Sequence, residues 1–303
     1  MKHKSLLRNC FDILVFVLFF FAIQAIVQFI AGGVYGYVHK ESVAEVVEAM
    51  ASGKYSQLLA VTTVFSSLLT IVLYARLHWA PISRVYLLSR PWGVVVWSVL
   101  LALGTILPTE WLYERLQIAL PDNLNSLFEG VMKEPWGYVA VGLLAPLAEE
   151  LVFRGAVLRT LLRMFDRRWH WLPIGLSALI FGVVHLNLAQ GAHAFLIGLL
   201  LGWMYYRTDS IIPSVIFHWV NNSVAFAMFH IMPQMSDGKL IDLFHGSNRL
   251  MYLGIGCSLC ILLPSLLQLA LRMHKANQGK WKTNCQYSET TKEAMLKHCL
   301  FLI

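Results

Sequence analysis

The 303-residue chain is 57% hydrophobic and only 14% charged, with a mean hydropathy of +0.61. Soluble domains run at about 45–50% apolar and about 25% charged, so this balance excludes an ordinary globular enzyme, a disordered chain and a fibrous one, and leaves the lipid bilayer as solvent. The formal charge of +7 does not indicate a nucleic-acid partner, because the Lys and Arg residues are spread along the chain rather than gathered on one soluble surface.

A hydrocarbon core of about 30 Å takes roughly 20 apolar residues of helix. Eight stretches meet that requirement: 11–31, 57–75, 92–108, 136–158, 171–187, 191–206, 211–231 and 250–271. The expected fold is an all-α polytopic membrane helical bundle of about eight transmembrane helices. The first stretch follows Lys2, Lys4 and Arg8, but its apolar run is longer than a signal peptide's and lacks a small-residue cleavage site, so it reads as a retained helix. Loops 32–56 and 109–135 carry Glu41, Glu45, Glu48, Glu110, Glu114 and Glu129, which predicts short amphipathic helices on the outer surface. With the N-terminus inside, 17 of the 24 Lys and Arg fall on the inner side and 6 on the outer, with Arg154 left inside a span. That asymmetry predicts both termini inside, in the cell membrane.

This divides the chain into 1–135, three membrane helices with their outer loops; 136–231, a four-helix core; and 232–303, the last membrane helix and a polar, basic tail. Cys10, Cys257, Cys260, Cys285 and Cys299 suggest neither a disulfide framework nor a zinc knuckle, and the Cys257-x-x-Cys260 pair reads as small core residues. Gly198 and Gly202 form a small-xxx-small pattern suited to close helix packing. His193 and His230 fall near span ends and read as interfacial.

The fourth stretch contains Glu149, Glu150 and Arg154, and each ionisable group at mid-membrane costs on the order of 3 kcal/mol on insertion scales. Glu150 and Arg154, at i and i+4 with the acid first, are placed to pair on one face. Glu149 is turned about 100° away and is free to face a cavity. The fifth stretch adds Phe181 and His185, and the seventh adds His218 and Asn222, both pairs at i, i+4. A carboxylate near an imidazole can take a proton from water and pass it to a leaving amine. A His and an Asn can donate hydrogen bonds to an oxyanion, so amide hydrolysis fits this set. A divalent metal such as zinc, held by Glu149, His185 and His218, is the alternative chemistry. The missing H-E-x-x-H and the presence of Asn222 favour the metal-free mechanism slightly.

The ordered set Glu149-Glu150-x-x-x-Arg154, Phe181-x-x-x-His185 and His218-x-x-x-Asn222 resembles the CAAX-protease and bacteriocin-processing (Abi) family of intramembrane endopeptidases, over about residues 136–230. The resemblance implies a membrane-embedded peptidase of metallo- or glutamic type. Glu149 with His185 would activate water, and His218 with Asn222 would stabilise the oxyanion. Glu150, Arg154 and Phe181 would support the site. The implied partners are a peptide or membrane-protein substrate and the lipid bilayer, in processing or immunity roles. Two other classes fit part of the pattern: a transporter with a polar intramembrane path, which calls for internal symmetry that this sequence lacks, and a non-catalytic immunity or scaffold protein.

Overall fold

A computed structural model describes residues 6–81, 84–116, 122–232 and 239–274. The chain order is α1 (Leu6–His39), α2 (Val43–Ala51), α3 (Ser56–Arg76), α4 (Arg84–Leu88), α5 (Trp92–Leu116) and α6 (Asp122–Lys133). A composite helix follows, made of a π segment (Tyr138–Leu144), α7 (Ala145–Glu150), a second π segment (Leu151–Leu158) and α8 (Arg159–Met164). Then come α9 (Trp171–Val183), α10 (Leu188–Thr208), α11 (Ile212–Ile231) and α12 (Asn248–Arg272). The protein is an all-α membrane helical bundle. The basic tail beyond residue 274, with Cys285 and Cys299, lies outside the described residues.

Among the described residues, five helices are long and apolar enough to cross a bilayer: α1, α3, α5, α10 and α12. The eight expected spans are therefore not matched one for one. Stretch 136–158 is broken by two changes of helical register, and stretch 171–187 shortens to the 13 residues of α9. Stretch 211–231 does form a helix of 20 residues, but His218, Asn221, Asn222 and His230 lower its hydropathy. In the other direction, α1 is 34 residues, about 50 Å of helix, well beyond a 30 Å hydrocarbon core.

Large apolar side chains on α1 and α12, among them Phe11, Leu18, Phe29, Leu253, Leu263 and Leu267, are exposed, as lipid-facing residues are. Cys257 and Cys260 are exposed as well, which corrects their assignment to the core. The centre of the bundle is the second π segment, in which every residue from Leu151 to Leu158 is buried. Phe16 and Ile23 from α1, Tyr74 from α3, Ile174 from α9, Leu201 from α10 and Phe217 from α11 belong to the same core cluster.

The acidic loops 32–56 and 109–135 contain α2 and α6. Ser42 caps α2 in a reciprocal box with Glu45, satisfying two backbone N–H groups that the first turn would leave unpaired. The Tyr55 hydroxyl donates to both carboxylate oxygens of Glu41 at 2.7 and 2.9 Å, and that bond holds the phenol up to about 12.

Small residues set the helix spacing next to the site. A Cβ on Gly182 of α9 would lie 2.7 Å from the Gly191 carbonyl oxygen of α10, so these backbones touch. Further along, Gly198 and Gly202 pack against Ala178 and Ile174 of α9, the close approach their spacing predicted. Gly182→Val is expected to push α9 off α10 and cost about 1–3 kcal/mol, as overpacking does, read as a lower melting temperature of the detergent-purified protein.

Candidate active site

The site begins with a backbone irregularity that the sequence causes. In the first π segment the Ala145 N–H reaches back to the Ala140 carbonyl, an i to i−5 bond. The same register would give the Val141 carbonyl to residue 146, which is proline and has no N–H. The freed Val141 oxygen accepts instead from Asn222 Nδ2 at 2.9 Å, tying α11 to the π segment just before α7. In the second π segment, the Phe153 carbonyl accepts from the Ser177 hydroxyl of α9 at 3.1 Å. The turn bearing Glu149 and Glu150 is thus clamped from both sides.

Glu150 and Arg154 are fully buried and paired, with Arg154 Nη1 donating to Glu150 Oε1 at 2.7 Å. The guanidinium lies over the Phe181 ring at 4.3 Å, so the aromatic face partly replaces water as its solvent. Glu150 Oε2 and Arg154 Nε and Nη2 have no hydrogen-bond partner among the described residues, so the pair is an expensive one to bury. Its acceptor is shared: His218 Nδ1 lies 3.0 Å from Glu150 Oε1. Paired with Arg154, that oxygen serves as the acceptor for Nδ1–H, and the bond fixes the orientation of the imidazole. His218 Nε2 then points to Glu149 Oε2 at 3.7 Å. Arg154, Glu150, His218 and Glu149 therefore form one connected chain of polar side chains, in which Glu150 touches both Arg154 and His218.

His185 sits differently from its expected place. Helix α9 ends at Val183, and a turn closed by the His185 N–H on the Gly182 carbonyl leads into Leu186 at φ 58°. Its imidazole still packs edge-on to Phe181, with ring centroids 5.0 Å apart, and Nδ1 donates to the Phe181 carbonyl at 2.7 Å. A carbonyl only accepts, so the Nε2 lone pair is left free. Asn187, which caps α10, donates to the His185 carbonyl at 2.8 Å and to Gln190 Oε1 at 2.7 Å. That support was readable as an Asn followed by a Gln three residues later, the signature of a helix start.

Glu149, Phe181 and His185 line a cavity of about 240 Å³, room for more than one water. Its other wall comes from α1 and α3, through Gln24, Thr63, Ser66 and Ser67. His218 and Asn222 do not line it: His218 is buried behind Glu149, and Asn222 is engaged with Val141. His193 is half-buried, edge-on to Tyr113 and 3.5 Å from the Asn221 amide, whereas His230 is exposed.

Among the described residues no three His, Cys, Asp or Glu side chains gather as a metal-binding group. Both ring nitrogens of His218 face carboxylates, Nδ1 at 3.0 Å from Glu150 and Nε2 at 3.7 Å from Glu149.

Fold and site together define a polytopic helical membrane protein with an acid–imidazole chain beside an internal polar cavity. Residues 132–224, about a third of the chain, match the family model described as type II CAAX prenyl endopeptidase Rce1-like, so that segment is similar to this family of membrane endopeptidases. No curated protein and no solved structure matches the chain. The matched segment contains Glu149, Glu150, Arg154, Phe181, His185, His218 and Asn222, but not the α1 and α3 wall of the cavity.

Proposed function

We propose that the protein is a glutamate-dependent intramembrane endopeptidase that hydrolyses a peptide bond of a membrane-associated substrate in the cavity beside Glu149. The observation that carries this reading is that Glu149 and His185 share one wall of a polar cavity, inside the segment that matches a protease family.

A water between Glu149 and the free Nε2 of His185 gives its proton to the Glu149 carboxylate as its oxygen adds to the scissile carbonyl carbon. His218 and Asn222, the donors that the family pattern suggests for the negative charge developing on the carbonyl oxygen, stand behind Glu149 and would have to turn toward the cavity to reach it. Protonated Glu149 then passes the proton to the amide nitrogen as the C–N bond breaks, giving a carboxylic acid and a free amine. Glu150 and Arg154 hold His218 in register and take no part in proton transfer. The family description supports a prenylated C-terminal peptide as the first substrate to try.

The test uses the full chain in nanodiscs with an internally quenched peptide in farnesylated and unmodified forms, comparing wild type with Glu149→Gln. Cleavage by wild type and its loss in the variant are expected; equal cleavage by both would remove Glu149 as the base. The same preparation decides the chemistry. Protein stripped of metal to below one-tenth equivalent, checked by elemental analysis, is expected to keep its rate. A rate that disappears on stripping and returns with one zinc per chain would overturn direct activation by Glu149 and His185.

A further inference from the structure

The cavity wall opposite Glu149 is built from helices that lie outside the matched segment, and its polar residues are unusual for such apolar elements. Helix α3 carries a stripe of Thr62, Thr63, Ser66, Ser67 and Thr70, spaced so that they share one side of the helix. Four of these satisfy themselves within their own helix: Thr62 and Thr63 donate to the Leu59 carbonyl, Ser66 to that of Thr63, and Thr70 to that of Ser66. A hydroxyl bonded back in this way is tolerated in an apolar setting.

Ser67 breaks the pattern. It is 6% exposed, lines the cavity, and has no hydrogen-bond partner among the described residues. Across from it, Gln24 of α1 also lines the cavity with its carboxamide unpaired among the described residues, in a helix whose mean composition is strongly apolar. The half-buried amide and the buried hydroxyl thus keep hydrogen-bonding capacity that no side chain or backbone group of the described residues uses, and both line the same cavity as Glu149 and His185. A glutamine side chain offers one carbonyl acceptor and an NH₂ donor, the same pair of functions that a backbone peptide unit presents.

We propose that Gln24 and Ser67 form the substrate-backbone recognition wall of this site, hydrogen-bonding an extended peptide strand and holding its scissile carbonyl toward Glu149. The proposal rests on the peptidase reading and adds a substrate feature to it: recognition of the main chain rather than of particular side chains. An extended strand entering the membrane brings its own unpaired N–H and C=O groups, and these are what Gln24 and Ser67 can satisfy. Neither residue takes part in proton transfer, so each is a positioning residue.

The test separates binding from turnover. In the full chain carrying Glu149→Gln, the Kd of a fluorescein-labelled farnesylated peptide is measured by anisotropy in nanodiscs, alone and with Gln24→Leu, Ser67→Ala or Ser67→Thr added. Gln24→Leu and Ser67→Ala are each expected to weaken binding roughly three- to tenfold, the worth of one hydrogen bond in a desolvated site, while Ser67→Thr keeps the hydroxyl and stays near the parent value. A depsipeptide with an ester in place of the amide facing Gln24 removes the N–H, and the loss caused by Gln24→Leu is expected to shrink with it, which a fold defect would not do. Unchanged Kd in both Gln24→Leu and Ser67→Ala would overturn the recognition wall, leaving the peptidase reading to stand on cleavage by wild type. Absence of binding and of cleavage with either peptide would overturn both.

Discussion

Glu149→Gln is expected to lower the cleavage rate by about 10²–10⁴-fold, the usual worth of a positioned general base, with little change in substrate affinity. The substitution is nearly isosteric and falls on a side chain that is 22% exposed to the cavity, so the fold should be left within about 0.5 kcal/mol of wild type. Glutamine cannot accept the proton from water, whereas it can still fill the space beside His218 Nε2 at 3.7 Å. The loss should therefore lie in kcat and not in KM. A variant that retains more than a tenth of the wild-type kcat would show that another group activates the water, and His185, with its free Nε2, would be the next to replace.

The second large effect falls on stability. Arg154→Leu leaves the Glu150 carboxylate buried at 0% exposure without its cation, and such one-sided breaks cost about 3–5 kcal/mol. A drop in melting temperature and in membrane yield is expected, with activity lost alongside. The double replacement of Glu150 and Arg154 by leucine makes the sharper test. Removing both charges is expected to restore most of the stability, since a buried ion pair is often no better than well-packed apolar side chains. Activity should nevertheless stay absent, because His218 Nδ1 loses the acceptor that orients it at 3.0 Å. A stable and active double variant would reduce Glu150 to a packing residue.

The pairing of Glu150 with Arg154 could be read from spacing alone, because i, i+4 neighbours on a helix meet whether the backbone bonds are i−4 or locally i−5. The link from Glu150 to His218 could not. Helix α11 follows Glu150 by more than 60 residues, and its register against the composite helix is set by the clamp of Asn222 on the Val141 carbonyl together with the bonds of Trp219 and Ser223 to the Tyr138 hydroxyl. The same clamp explains why Asn222 does not open onto the cavity: its amide is partly used by a carbonyl freed at Pro146, a consequence of a π turn that periodicity does not reveal. His185 was expected on a continuous helix with Phe181. The chain instead leaves the helix at Val183, and the ring contact survives because the turn holds Nδ1 on the Phe181 carbonyl.

What the sequence determined by itself is the solvent, the all-α bundle and the identity of the intramembrane polar residues, because apolar run lengths and the cost of charge in lipid act locally along the chain. What only the tertiary structure decided is which polar residues meet. It set His218 between two carboxylates and brought Gln24 and Ser67 from α1 and α3 to the cavity that Glu149 lines. Those outcomes depend on the relative rotation of helices far apart in the chain. That rotation is fixed by backbone contacts at Gly182, Gly191 and Val141, which no single helix encodes.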